Sequence, residues 1–154
     1  MTVPSAEGEY EFTDDPSRMD VSAIHAFLTR SYWADGISRD LVERSLRSSL
    51  CIGLFSRGLQ VGFARIVTDR ATFAYLCDVY VLEEHRGRGL GRRLIQAVMA
   101  HPDLQGLRRF MLVTRDGHGL YSPFGFTTPT HPERIMEIAR PGLYRTNHPG
   151  SAPS

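Results

Sequence analysis

The sequence predicts an α+β fold: a single domain with a mixed, mostly antiparallel twisted sheet flanked by helices. Three observations carry this. Two helical patterns come first, around residues 21–32 and 38–46. Apolar strand-like runs then follow closely at residues 50–55, 59–68 and 72–82, and a helical pattern from residue 89 separates the last of them from a further run at 109–114. Helices first, then a meander, then one βαβ-like crossover is α+β order. At 154 residues the chain suffices for one core and is short for two.

Element by element, residues 1–9 read as a loose polar lead, and Tyr10, Glu11 and Phe12 as a short edge strand. Asp20 is placed to cap a helix with Val21, Ile24, Phe27, Leu28 and Tyr32 on its apolar face, and Ser38 to cap a second one carrying Leu41, Val42 and Leu46. A turn at Ser56, Arg57 and Gly58 makes residues 50–55 and 59–68 a hairpin, with Val61, Phe63, Arg65 and Val67 expected on one face. Asp69 and Arg70 reverse the chain again. Pro102 ends the next helix near His101, because proline disfavours helical geometry in the residue before it. The run at 109–114 then lies parallel to the strand at 72–82 through the crossover. A helix from about Asp116 carries Leu120 and Tyr121, residues 124–126 and 134–139 supply a last hairpin, and the Pro- and Gly-bearing tail from Arg140 to the end at 154 reads as poorly ordered. The domain therefore spans residues 10–139.

Composition narrows the function. With 18 basic against 17 acidic residues the formal charge is +1, which gives no bias toward nucleic acid or membrane surfaces. Cys51 and Cys77 sit far apart in apolar runs, as reduced buried thiols do. The six histidines are scattered, with no metal-ligand spacing. No apolar leader or membrane-length stretch is present in the sequence, so the cytoplasm is the expected location.

The chemistry concentrates where the run 72–82 meets the following helix, at Arg86, Gly87, Arg88, Gly89, Leu90, Gly91 and Arg92. A glycine-rich turn feeding a helix N-terminus is a phosphate site, because bare backbone approaches closely and the N–H groups and helix dipole favour negative charge. A dinucleotide fingerprint fails: the glycines alternate, Arg92 takes the third-glycine position, and residues 108–114 lack the acid expected further on. A phosphate-binding P-loop fails for want of Gly-Lys-Ser/Thr. What remains, Arg-x-x-Gly-x-Gly over residues 86–91 with Val79, Tyr80 and Val81 upstream, resembles the acetyl-CoA pyrophosphate loop of the GNAT superfamily of N-acyltransferases. The likeness extends over residues 10–139 and is specific at one further point: Tyr121 with Gly125 and Phe126 is similar to the family's Tyr-x-x-x-Gly-Phe.

The resemblance implies acetyl-CoA as cosubstrate, with Arg86, Gly87, Arg88, Gly89, Leu90, Gly91 and Arg92 around its pyrophosphate and no metal. It implies that backbone N–H at Val79, Tyr80 and Val81 meets the pantetheine and the oxyanion, and that the Tyr121 hydroxyl protonates the departing thiolate. The alternative for Tyr121 is a packing residue against Phe124 and Phe126. Asp78, a carboxylate inside an apolar run, needs a partner or a role. It is a general base or acceptor anchor, or a structural salt bridge to Arg65 across the hairpin; Glu83, Glu84 and His118 are weaker candidates for the base. Strand alternation sets Asp78 on the face of Tyr80, away from Val79 and Val81, unless a bulge rephases it. Trp33 and Asp35 lie in the segment that overhangs the acceptor pocket in this family, and an aromatic beside a carboxylate suits a cationic amine; the alternative for Trp33 is a core residue.

The function this implies is transfer of an acetyl group from acetyl-CoA to a primary amine, of a small molecule, by direct attack in a ternary complex. Two rivals are acetylation of protein N-termini or lysines, and a non-catalytic acyl-CoA-binding module. Oligomeric state is open between monomer and homodimer.

Overall fold

One sheet organises the molecule, with strands in the order β1-β2-β3-β4-β5-β6. The computed structural model describes residues 2–4 and 9–147. The strands are β1 (Thr2–Pro4), β2 (Tyr10–Thr13), β3 (Leu50–Ser56), β4 (Leu59–Thr68), β5 (Phe73–Val81) and β6 (Arg109–Leu112). Successive pairs are antiparallel until β5 and β6, which run parallel. The crossover between them is α3 (Leu90–Met99), as a parallel pair requires.

Apolar side chains fill both faces. On one, Leu94, Ile95 and Val98 of α3 pack with Leu54, Ile66 and Leu76; on the other, α1 (Val21–Leu28) and α2 (Arg39–Arg47) set Ile24, Leu28 and Val42 against Phe63 and Tyr80. Each fully buried Leu or Ile contributes about 1.5–3 kcal/mol.

Local chemistry sets the boundaries. The Asp20 carboxylate accepts the Ala23 N–H and the Ser38 hydroxyl that of Leu41, so both helices start where their caps stand. α1 stops at Leu28, short of Tyr32, where the Ser31 hydroxyl donates to the Leu28 carbonyl and the Gly36 amide returns to Thr29. The turn before β5 is tied by Asp69, which accepts from the Thr72 hydroxyl and from the amides of Thr72, Ala71 and Phe73; these bonds hold its carboxyl far below the usual range.

Two bulges re-aim side chains. Leu54 pairs with Gly62 but Phe55 with Gln60, so Val61 is the extra residue and turns into the α3-side core, away from Phe63. This corrects the single face read for Val61 and Phe63. In β5, Arg65 pairs with Cys77 but Phe63 with Tyr80, so Asp78 and Val79 together face Ala64, and Asp78 takes φ 54°. Aspartate tolerates that left-handed geometry better than most residues.

Other expectations change at the ends. The last hairpin is absent: Phe124 closes a 3-10 turn (Ser122–Phe124) before Gly125 at φ 100°, and a second such turn (Pro132–Arg134) leads into an extended segment with no strand partner among the described residues. Ile135, Met136 and Ile138 present apolar groups on both sides of that segment, so no single face pairs with a sheet. The helix from Asp116 shortens to α4 (His118–Tyr121). Thr2–Pro4 of the expected lead forms β1, and the tail contains a turn (Leu143–Asn147); the rest of these two expectations falls outside the described residues. Among the described residues no helix is long and apolar enough to cross a membrane.

Candidate active site

β5 and β6 stay paired only from Phe73 opposite Arg109 to Leu76 opposite Leu112. Beyond that the strands part, leaving the β6-side edge of Cys77, Asp78, Val79, Tyr80 and Val81 without a strand partner among the described residues, while Val113 is 74% exposed. A cleft with free backbone groups along one wall results.

At the end of this wall the chain turns into α3. Gly87 and Gly89 adopt φ 81° and 73°, and Gly89 caps α3 without a side-chain hydrogen bond. A Cβ at either glycine would meet nothing within 4 Å, so backbone conformation rather than crowding demands them. The amides of Leu90, Gly91 and Arg92 open α3, where helices leave N–H groups unsatisfied. The arginines divide by use. Arg86 donates to the Val81 carbonyl at 2.9 Å and Arg88 to the Tyr10 hydroxyl at 2.8 Å, so both brace the loop, whereas Arg92 is exposed with no partner among the described residues. These residues fit a pyrophosphate: the backbone supplies the donors and Arg92 a free cation.

Tyr121 ends α4, which packs beside the start of α3 through Leu120. Gly117 leaves room for the tyrosine, since a Cβ there would lie 2.8 Å from Thr114 Oγ1 and 3.1 Å from the Tyr121 ring. The ring packs edge-on to Phe126 at 6.1 Å, so the packing expected of Tyr121 is present alongside any chemical role. Burial, with a smaller contribution from the Tyr32 hydroxyl, raises its pKa above the ordinary tyrosine value, which keeps it a proton donor at neutral pH.

The bulge swings Asp78 to the α1–α2 face. There its Oδ2 accepts from Arg65 Nε at 2.8 Å and its Oδ1 from Trp33 Nε1 at 2.9 Å. Arg65 Nη1 reaches the Ser49 hydroxyl at 3.1 Å, which donates to the Ser45 carbonyl at 2.7 Å near the end of α2. Asp78 is 11% exposed and Arg65 19%, so the pair is largely desolvated. Phe27 stacks on Tyr80 at 4.0 Å and lies 6.2 Å from Trp33, giving the carboxylate an aromatic surround. Trp33 is 41% exposed, a mouth residue rather than a core one. The structure thus joins Trp33 to Asp78 and satisfies the salt bridge read for Asp78 and Arg65.

Asp35 pairs with Arg145 at 3.7 Å, on a C-terminal segment that sequence reasoning left as tail. The signal was present: Leu143 and Tyr144 interrupt a Pro- and Gly-bearing stretch, and Tyr144 packs against the α1–α2 core. Arg115 was also missed; its guanidinium sits 3.8 Å from the Tyr32 ring centroid. Glu83 and Glu84 lie in a 3-10 turn (Glu83–His85) away from this cluster, and His118 is exposed. Cys51 and Cys77 are free thiols in register with Arg65 on either side, and burial pushes both up to about 12. Among the described residues no group of acids, histidines and cysteines converges to hold a metal.

A parted parallel pair, an uncapped helix start and a tyrosine on the neighbouring helix form the arrangement expected of the acyltransferase family the sequence resembles, and the family comparison agrees. The family model described as "Acetyltransferase (GNAT) family" matches residues 19–126, and the chain belongs to that family. The chain is 37% identical over 137 residues to FG08082 of Gibberella zeae, an acetyltransferase by name, covering 74% of this chain and 76% of that one. A crystal structure of a GNAT-family protein from Xanthomonas campestris pv. campestris superposes with TM-score 0.86 at 54% identity, over 88% of this chain and 96% of the other. L-2,4-diaminobutyric acid acetyltransferase of Halomonas elongata is 29% identical over 99 residues, 63% of this chain and 45% of that one.

Proposed function

We propose that this GNAT-family chain is an acetyl-CoA-dependent N-acetyltransferase whose acceptor is a small primary amine, attacking directly in a ternary complex. The observation that carries the reading is the uncapped start of α3, behind two left-handed glycines, at the end of a strand edge that has lost its neighbour. When bound, acetyl-CoA supplies the activated thioester. The backbone edge at Val79, Tyr80 and Val81 offers N–H donors along the pantetheine arm and to the developing oxyanion, and the amides at residues 86–92 hold the pyrophosphate. Tyr121, held protonated by burial, gives its proton to the leaving sulfur as the C–S bond breaks, and the proton that the attacking nitrogen loses on becoming an amide restores the hydroxyl.

Asp78 serves as the acceptor anchor. Each carboxylate oxygen already accepts one hydrogen bond and has a lone-pair direction left for an ammonium, beside the indole edge of Trp33. The amine sheds its proton to water before attack. Direct attack is favoured over an acyl-enzyme because the only two thiols are pushed up to about 12 and hold almost no thiolate at neutral pH. A small acceptor is favoured over a protein one because residues 138–145 wall the mouth against Tyr32, Trp33 and Asp35. The L-2,4-diaminobutyric acid acetyltransferase likeness agrees with an amine of that size.

A coenzyme-release assay over small amines and over peptides with free N-termini or lysines tests this. Release with small amines well above that with every peptide is expected; the reverse order overturns the small-molecule reading, and no release from a protein that binds acetyl-CoA leaves a binding module.

A further inference from the structure

Beside Trp33, where the C-terminal residues wall the mouth, lies a cavity of about 290 Å³ between the loop carrying Tyr32, Trp33 and Asp35 and the residues Arg140, Tyr144 and Arg145. Its position is informative. The Trp33 indole N–H points to the Asp78 carboxylate, while the same residue lines this cavity, so amine anchor and cavity are separated by one side chain. Its charge is informative too. Arg145 is offset by Asp35 at 3.7 Å, but Arg140 has no ion-pair partner among the described residues, which leaves the cavity one guanidinium in excess. Its size sets a limit: it is at the small end of ligand pockets and too small for a peptide segment or a nucleotide.

Resting on the acetyltransferase reading above, we infer that this cavity is an acceptor subsite for a carboxylate. The acceptor is then amino-acid-like: an ammonium at Asp78, a short chain passing the Trp33 ring, and a carboxylate on Arg140, with Arg145 positioned by Asp35 as the second donor. Guanidinium matches carboxylate geometry through two parallel N–H bonds, which an amide or a methyl end does not offer.

The test pairs ω-amino acids from 3-aminopropanoate to 6-aminohexanoate with their own carboxamides, in the coenzyme-release assay with saturating acetyl-CoA. The amino acid of best length should exceed its amide in kcat/KM by roughly tenfold or more, the usual worth of a charge-assisted hydrogen bond. Arg140→Gln should reduce that ratio below about threefold by raising the KM of the acid, and Arg140→Lys should restore part of it, since a point charge keeps attraction without the fork. Thermal unfolding of both variants checks that the exposed substitution leaves the fold intact. Equal rates for acid and amide, or an unchanged ratio in Arg140→Gln, overturn the subsite while leaving the acetyltransferase reading in place. No release with any amine removes that reading and the subsite with it.

Discussion

The two walls proposed for the cleft, one for the coenzyme and one for the acceptor, are built in opposite ways. The coenzyme wall is backbone: contiguous residues 79–92, two left-handed glycines, and arginines turned inward as braces. The acceptor wall is side chain: Trp33, Arg65 and Asp78 come from three separate elements and meet only through a bulge and two hydrogen bonds. A backbone site tolerates side-chain changes wherever conformation is kept, whereas a side-chain network tolerates small backbone drift better than the loss of any member. The contrast makes the two walls separable by mutation.

The largest effect should come from the backbone wall. Gly89→Val puts a branched side chain at φ 73° where a phosphate must approach, and should lower acetyl-CoA affinity about a hundredfold or more by calorimetry. Arg86→Ala and Arg88→Ala should each lower it only about threefold. If the arginine variants lose more than the glycine variant, the wall is not backbone and the comparison breaks. Next, Tyr121→Phe keeps the ring against Phe126 and removes the hydroxyl, so turnover should fall roughly 10²-fold with coenzyme affinity little changed; turnover within about twofold of the parent would make Tyr121 a packing residue only.

On the side-chain wall, Asp78→Asn keeps a residue that accepts left-handed geometry but strips Arg65 of its counter-charge. Acceptor KM should rise about tenfold, and urea unfolding should show a loss of about 2 kcal/mol, below the full cost of a broken buried pair because asparagine keeps an oxygen that can still accept a hydrogen bond. Acetyl-CoA affinity unaffected by Asp78→Asn sharpens the separation of the walls; a parallel loss contradicts it. The smallest effect is alkaline. The Cys51 and Cys77 thiols are raised from 9.0 to about 12, so the stability their burial contributes is complete below pH 9 and is lost as pH rises through about 12. The urea midpoint should fall across that window, and less steeply when both cysteines are alanine.

Legibility followed the same division. The left-handed glycine turn and the helix start behind it could be read because glycine at fixed spacing before an apolar helix reports a backbone requirement in adjacent letters. The helix starts and the turn before β5 were readable for the same local reason: Asp20, Ser38 and Asp69 act on residues two to four positions away. The acceptor wall was only half readable. Asp78 with Arg65 could be guessed across one hairpin, but the bulge that turns Asp78 toward Trp33 depends on two strands sharing one register, and a pattern of letters does not carry that. Asp35 was assigned to the amine because it neighbours Trp33, whereas its partner Arg145 lies in a segment whose prolines and glycines resemble an unstructured tail. The last hairpin failed because a short apolar run says nothing of whether a neighbouring edge is there to receive it.

The central claim is that the acetyl group passes directly from the coenzyme to an amine held at Asp78. Single-turnover quench of protein loaded with acetyl-CoA, mixed with an amine it acetylates and followed by mass spectrometry of protein and amine together, tests this most directly. The account predicts acetylated amine appearing in step with free coenzyme A and no acetylated protein at any time; an acetylated cysteine that precedes the product, or coenzyme A released without acetylated amine, would contradict it.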